Sequence, residues 1–293
     1  MRSVQERKAG AESALLTNDE FRQFQELILA ETGIHLDSSK RALVESRLTR
    51  RLRTLGISTY GRYLQYVLAQ SPKSDERQEV INCITTNKTD FFRENHHFEF
   101  LRDHVIPEAR ARAQEGAAQH LRIWSAACSS GEEPYSIAMT VREALGADRS
   151  WDVKILASDV DTKVLAAAEA GVFETERLET VPEPLRRRYF LRRKDGGALM
   201  VKDELKSMIR FRQINLIHAD WPIQTTFDAI FCRNLIIYFN RETQETLIRR
   251  QIRYLKPTGY LLVGHSENLH WMNSVLATVR NTVYRLRNDE AAR

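Results

Sequence analysis

Between residues 18 and 70 the apolar positions recur at helical spacing. Phe21, Phe24, Leu27 and Ile28 form one stripe and Val44, Leu48, Leu52 and Leu55 another, with polar residues in the intervals. The pattern predicts a small helical domain whose helices break at Gly33, Gly56 and Ser71-Pro72, with a further helix over Asp75–Ile84. Beyond residue 120 the rhythm changes. Short apolar runs at 121–127, 153–157, 227–232 and 260–263 alternate with helical stretches at 134–145, 161–170 and 241–255. That alternation predicts a parallel sheet flanked by helices, a doubly wound α/β domain. Between Leu191 and Gln213 Arg-rich segments around Gly196-Gly197 predict a small antiparallel insertion, placed at about residues 190–213. Residues 278–286 alternate like a last strand or hairpin. The expected organisation is a flexible tail over 1–17, a helical domain over 18–84, a linker and lid-helix region over 85–120 and the α/β domain over 121–288.

Composition narrows this picture. With 42% hydrophobic and 28% charged residues the chain has ordinary globular values, and its longest apolar stretch, 235–239, is far too short to span a bilayer. Arg2, Glu6, Arg7 and Lys8 exclude a secretory signal at the start. Three widely spaced cysteines, Cys83, Cys128 and Cys232, argue against a disulfide framework and a zinc site; a soluble protein of the reducing cytoplasm is expected, with no metal. The net charge of +5 points to an acidic partner. Its excess is local, because residues 40–62 hold seven basic side chains and one acid, Glu45.

In an open α/β sheet ligands bind beyond the carboxyl ends of the strands, so the loops there carry the candidate chemistry. The first, A-A-C-S-S-G-E-E-P-Y-S over 126–136, contains one glycine, whereas a pyrophosphate needs several to let backbone N–H groups approach. S-Adenosylmethionine fits better, since carboxylates suit its ammonium and ribose hydroxyls. Ser130 and Glu133 also have the spacing of a helix capping box, with Pro134 in the first turn; cap and ligand contact are compatible readings. After the second strand Asp161 is placed to cap the next helix, which leaves Asp159 either to hold two ribose hydroxyls or to stand as a solvated loop acid. Asn215-Leu216 ends a further strand, and R-N-L-I-I-Y-F over 233–239 follows the run Phe227–Cys232; these polar groups face the same crevice or satisfy backbone groups.

With these loops in view, the chain resembles the chemoreceptor glutamate methyltransferases, the CheR family, from about residue 18 to 287. T-T-N-K-T-D-F-F-R over 85–93, followed by His96, His97 and Phe98, is similar to the family's T-N-x-T-x-F-F-R-x-x-x-x-F tract, which is not a general methyltransferase motif. W-S-A-A-C-S-S-G-E-E-P-Y-S-I-A-M from Trp124, A-S-D-V-D-T from Ala157, F-D-A-I-F-C-R-N-L-I-I-Y-F from Phe227 and G-H-S-E from Gly264 match as well. Cys128 stands where the family usually has Ala or Ser, and the spacing over 192–201 departs further.

The resemblance implies a small N-terminal all-helical domain followed by a doubly wound, Rossmann-like, S-adenosylmethionine-dependent methyltransferase domain with a small antiparallel β insertion. It implies that Asn87, Thr89, Arg93, Glu133, Asp159, Asn215, Leu216, Arg233 and Asn234 line the cofactor site, with Arg93 and Tyr238 nearest the transferred methyl. The reaction would convert receptor glutamates to glutamyl methyl esters and release S-adenosylhomocysteine. The expected partner is the cytoplasmic helical domain of methyl-accepting chemoreceptors, met by a monomer that neither binds nucleic acid nor inserts into the membrane. Lys40, Arg47, Arg50, Arg51 and Arg53 flank the second apolar stripe, and electrostatic docking of a glutamate-rich receptor helix there competes with an ordinary solvated helix face. Residues 85–98 pass for an interdomain linker by position; with the strand-end loops they become a lid, Asn87 and Thr89 toward the donor and Arg93 toward the acceptor. One rival is a nucleic-acid methyltransferase, because Asn234 and Tyr238 distantly suggest an Asn-Pro-Pro-Tyr motif, but the prolines are absent and the basic helix lacks interleaved aromatics. Another is a catalytically silent adaptor, against which the intact Asn87, Arg93, Asp159 and Tyr238 weigh.

Overall fold

The computed structural model describes residues 15–72, 74–193 and 196–287. Most of the expected tail and Lys194-Asp195 of the insertion lie outside the described residues. The chain divides into two compact units, 1–86 and 87–293.

The first unit is helical: α1 (Asn18–Thr32), α2 (Arg41–Leu55), α3 (Tyr60–Leu68) and α4 (Asp75–Ile84). Thr17 and Glu20 form a reciprocal capping box at the start of α1, so residue 17, assigned to the tail, is the ordered N-cap. Thr59 and Ser74 cap α3 and α4 through their hydroxyls. The two expected stripes meet in one core with Tyr60, Tyr63, Leu64, Val67 and Val80, Leu55 remaining at its margin. Beside it Glu76, 7% exposed, accepts two hydrogen bonds from Arg51 at 3.0 and 2.5 Å and one from the Tyr63 hydroxyl at 2.6 Å.

The second unit contains β1 (His120–Ala126), β2 (Asp152–Asp159), β3 (Val172–Glu174), β4 (Phe190–Arg192), β5 (Ala198–Val201), β6 (Ile209–Gln213), β7 (Phe227–Cys232), β8 (Leu255–Val263), β9 (Leu276–Arg280) and β10 (Val283–Leu286). Its helices are α5 (His96–Phe100), α6 (Ile106–Gln114), α7 (Glu132–Leu145), α8 (Thr162–Ala170), α9 (Glu183–Tyr189), α10 (Asp203–Lys206) and α11 (Arg241–Gln251). The main sheet has the order β6-β2-β1-β7-β8-β10-β9, parallel from β6 to β8, with β9 and β10 forming the antiparallel terminal hairpin. The chain builds outward from β1 to β2 and β6, then crosses to β7 on the other side. This reversal opens a crevice at the carboxyl end of β1. Tyr135, Ile137, Met139 and Val141 of α7 and Phe98, Leu101, Val105 and Ile106 of the helical stretch after Asn95 cover the sheet. Thus much of the expected linker region belongs to the α/β core, because its large apolar side chains need a sheet to bury against.

Two expectations change. The antiparallel insertion has the order β3-β5-β4 and spans 172–201, whereas β6 pairs in parallel with β2 as an edge of the main sheet. Ile209 is buried with Arg210 and Arg212 pointing away, an alternation that either sheet would accept. The helix expected over 241–255 ends at Gln251, and after a 3-10 turn β8 begins at Leu255. Lys256-Pro257 favours extended chain there.

Candidate functional site

Loops following β1, β2, β6, β7 and β8 converge at one edge of the sheet, and several hold non-glycine residues in the left-handed region. Ala127 has φ 75°, Ser129 49° and Asn234 56°, and in the preceding tract Phe92 has 55° and Glu94 57°. Such conformations cost about 1–3 kcal/mol each and persist where surrounding bonds impose them.

Those bonds are present. The N–H groups of Ala127 and Cys128 both donate to the Ser158 carbonyl at 2.8 Å, fastening the loop after β1 to the end of β2. Gly131, at φ 100°, begins α7; a Cβ there would lie 2.9 Å from that of Ala168. Because Gly131 is the N-cap, the expected capping box does not form. Ser130 lies one residue too early, and its hydroxyl donates to Glu132 at 2.8 Å while accepting from Arg177 at 2.9 Å. Glu133 instead accepts from Ser125 at 2.7 Å and from Arg233 at 2.8 Å, joining β1 to the loop after β7. Burial pushes its carboxyl up, partly offset by Arg233 and Ser125.

Asp161 caps α8 as expected, accepting from the N–H groups of Lys163 and Val164 at 2.9 and 3.2 Å. Asp159 also has structural partners: its oxygens accept from Ser129 N–H at 2.8 Å and Asp161 N–H at 3.0 Å. A carboxylate retains further lone pairs after two such bonds, so ribose hydroxyls remain compatible with this role. Burial pushes Asp159 up to about 6 despite the two N–H donors. Asn87 joins this cluster, its amide donating to Asp161 at 2.7 Å and its carbonyl accepting from the Ser129 hydroxyl at 3.0 Å. Asn215 follows Ile214, whose N–H donates to the Asp159 carbonyl at 3.1 Å, and Leu216 beside it is buried.

A second cluster surrounds Arg233, whose side chain is 2% exposed. Its guanidinium pairs with Glu133 at 2.8 Å and Glu94 at 3.1 Å and also donates to the Arg93 carbonyl. Glu94 accepts from the Asn234 amide and His265 N–H, both at 3.1 Å. Burial pushes Glu94 up, but Arg233, Asn234 and His265 outweigh it and hold the carboxyl at about 2. Glu267, 3% exposed, accepts from the N–H groups of Asn234 and Ile236 at 2.8 Å, Gly264 at 2.5 Å and Ile237 at 3.4 Å. It therefore shapes the turn bearing Tyr238. Gly264 is required for close approach, since a Cβ there would meet the Asn234 amide nitrogen at 2.4 Å.

Asn87, Asp159, Glu133, Arg233 and Asn234 thus belong to two bonded clusters, and Arg93 joins the second through its backbone. Its guanidinium donates to the Lys88 carbonyl at 3.0 Å. Thr89 and Tyr238 are half-buried and have no side-chain hydrogen bond among the described residues. Glu94 and Glu267 were missed as site residues by sequence reasoning. Both lie in matched tracts, but most of their partners are distant in sequence and leave no local pattern. Burial pushes the Cys128 thiol up, so this small neutral side chain serves where the family usually has Ala or Ser.

The donor set suits S-adenosylmethionine. Two acids, Glu133 and Glu94, flank one buried cation, leaving an acidic excess for a cationic ligand, and Asp159 offers a carboxylate at the next strand end. Neither cluster presents stacked glycine N–H groups for a pyrophosphate. Fold and site together define the class of S-adenosylmethionine-dependent methyltransferases.

Comparison with known proteins supplies the family. Residues 87–285 match the CheR methyltransferase SAM-binding domain and residues 19–85 the CheR methyltransferase all-alpha domain. The chain is 47% identical over 272 residues to chemotaxis protein methyltransferase 2 of Pseudomonas aeruginosa, covering 92% of this chain and 93% of that one. It is 44% identical to the chemotaxis protein methyltransferase of Klebsiella aerogenes, with 94% and 92% covered, and 43% identical to that of Escherichia coli, with 95% and 94% covered. The chain belongs to the CheR methyltransferase family.

Proposed function

We propose that the protein methylates glutamate side chains of bacterial chemoreceptors to glutamyl 5-O-methyl esters in chemotaxis-type adaptation. The chemotaxis names of its relatives support the setting. The observation that carries the chemistry is the pairing of an acidic cofactor crevice with Arg93 and Tyr238 on segments bonded to it, through the Arg93 carbonyl and the Glu267-held turn.

In this reading Asp159 holds the ribose, while Asn87, Thr89, Arg93, Glu133, Asn215, Leu216, Arg233 and Asn234 line the rest of the cofactor site. Bound S-adenosylmethionine supplies an electrophilic sulfonium methyl. The receptor carboxylate would accept that methyl, with S-adenosylhomocysteine as the leaving group. No base is needed, because a free glutamate with a pKa of about 4.3 is already ionised at neutral pH. Arg93 and Tyr238 orient the acceptor and exclude water, and such positioning contributes up to roughly 7–11 kcal/mol in favourable systems. In the helical unit Lys40, Arg50 and Arg53 are exposed and available to an acidic receptor helix, whereas Arg47 donates to the carbonyls of Ile84 and Thr85 and Arg51 pairs with Glu76. Docking therefore rests on the first three.

Incubation with labelled S-adenosylmethionine and receptor membranes tests the reading: incorporated label should be released as methanol by mild base, and base-stable label would overturn it. Arg93→Ala should lower kcat by about 10²-fold. Its effect on cofactor affinity measured by calorimetry should be the smaller of the two, since the backbone carbonyl that meets Arg233 survives the substitution.

A further inference from the structure

Next to the turn that carries Tyr238 the α/β unit presents a cation that has no acidic partner among the described residues, on a partly apolar surface. Arg241 is the first residue of α11, where a cation opposes the helix dipole, so helix stability does not account for it. Its guanidinium stacks over the Trp271 ring, 4.2 Å from the centroid, and it makes no ion pair or hydrogen bond among the described residues. The indole is itself fixed by a 3.0 Å hydrogen bond from its N–H to the Asn268 carbonyl. Ile237 is 50% exposed, and its backbone N–H is anchored to Glu267. Gln244 ties the same turn to α11 by donating to the carbonyls of Ile236 and Phe239 at 2.8 and 3.0 Å. Ile237, Arg241, Gln244, Ser266, Glu267 and Asn268 are among the residues lining a depression of about 270 Å³.

We infer that this surface docks the receptor segment immediately flanking the glutamate being methylated, with Arg241 pairing to a second carboxylate of that segment and Ile237 packing on its apolar side chains. The inference rests on the function proposed above. Three observations select the occupant. Arg241 is held in place by an aromatic face while its N–H groups stay available, the arrangement that suits a carboxylate. Ile237 and Tyr238 share one short turn, so this surface adjoins the place where a polypeptide would deliver a side chain to Tyr238. Anchoring by Glu267 and Gln244 means that little ordering is required on binding, which favours specificity for one approach of the chain. Arg241 is on this account a specificity-determining residue.

The test uses the full-length protein and receptor membranes. Arg241 makes no internal polar bond among the described residues, so Arg241→Glu should leave the fold intact, with Arg241→Lys as the conservative control. Arg241→Glu should raise the KM for receptor by about tenfold while kcat and the calorimetric Kd for S-adenosylmethionine stay within about twofold, and Arg241→Lys should fall between. A receptor whose acidic residues flanking the target glutamate are changed to lysine should be a poor substrate for the wild type and regain methylation with Arg241→Glu. An unchanged KM in Arg241→Glu, while the wild type forms base-labile ester, overturns this inference alone; failure of the wild type to form the ester removes both readings. Sedimentation showing a dimer that Arg241→Glu dissociates would assign the surface to a second copy of the chain and equally overturn it.

Discussion

Asp159 has a structural task in holding two backbone N–H groups and, in the proposed function, a chemical one toward the ribose, and its burial makes the combination sensitive to pH. The rise from 3.8 to about 6 means that ionising it costs the fold about 3 kcal/mol. Since the folded state binds this proton more tightly than the unfolded chain, the cost is absent below the unfolded pKa, grows between the two values and is complete above about 6. In the proposed function, ribose hydroxyls donating to the ionised form would offset it. The Kd for S-adenosylmethionine should therefore rise as pH falls through about 6, with protons released on binding, as calorimetry in buffers of different ionisation enthalpy would show. Asp159→Asn should bind weakly and with a shallower pH slope. Glu133 differs, because its substitution reaches beyond the ligand. Glu133 closes no capping box with Ser130 and instead neutralises an arginine with a 2% exposed side chain. With Glu94 still paired to Arg233, Glu133→Gln should cost somewhat less than the ~3–5 kcal/mol typical of breaking a buried pair. Chemical denaturation should reveal that loss together with weaker cofactor binding.

The turn between β7 and α11 depends on one side chain from the loop after β8. Glu267 collects four backbone N–H groups that would otherwise be buried without acceptors, and it holds Asn234 in the left-handed region. Burial pushes its carboxyl up, with the N–H donors opposing. Glu267→Ala strands those donors, each costing about 1–3 kcal/mol if water cannot reach it. The expected result is faster hydrogen exchange at Asn234, Ile236 and Ile237 and a loss of kcat larger than any loss of overall secondary structure; unchanged exchange would contradict the anchoring role. In the helical unit α2 shows a different division of labour. Its Arg51 is consumed by the Glu76 and Tyr63 cluster, where burial and the acceptor push the tyrosine hydroxyl up, while Arg50 and Arg53 on the same helix remain exposed.

Across the molecule charge is divided by purpose: buried acids line the crevice of one unit and exposed bases occupy a helix of the other. Interactions of the two kinds respond differently to salt, because exposed pairs are screened over a Debye length of about 10 Å at 0.1 M and buried pairs much less. Raising ionic strength should increase the KM for receptor while hardly moving the Kd for S-adenosylmethionine. Charge reversal at Arg50 and Arg53 should impair receptor methylation at low salt and converge on the wild type at high salt. A salt response unchanged by that reversal would exclude docking through α2. Among the described residues no helix is long and apolar enough to cross a membrane.

Periodicity was enough for the helical stripes, the β7 strand and the alternation of strand and helix, because burial of one face imposes a repeat that survives in the chain itself. The Asp161 cap was legible for the same local reason, its partners being only two and three residues away. The motif tracts contain the side chains of both bonded clusters. Pairing partners were not legible: the alternating Ile209–Gln213 segment could join either sheet, and only its register with β2 assigns it to the main one. Nor could spacing show that Gly131 displaces Ser130 from the cap, that Arg51 is committed to Glu76, or that Glu94 and Glu267 organise the Arg233 loop. Each of these depends on groups brought together across distant parts of the chain, and a local pattern carries no record of where a side chain's partner will lie.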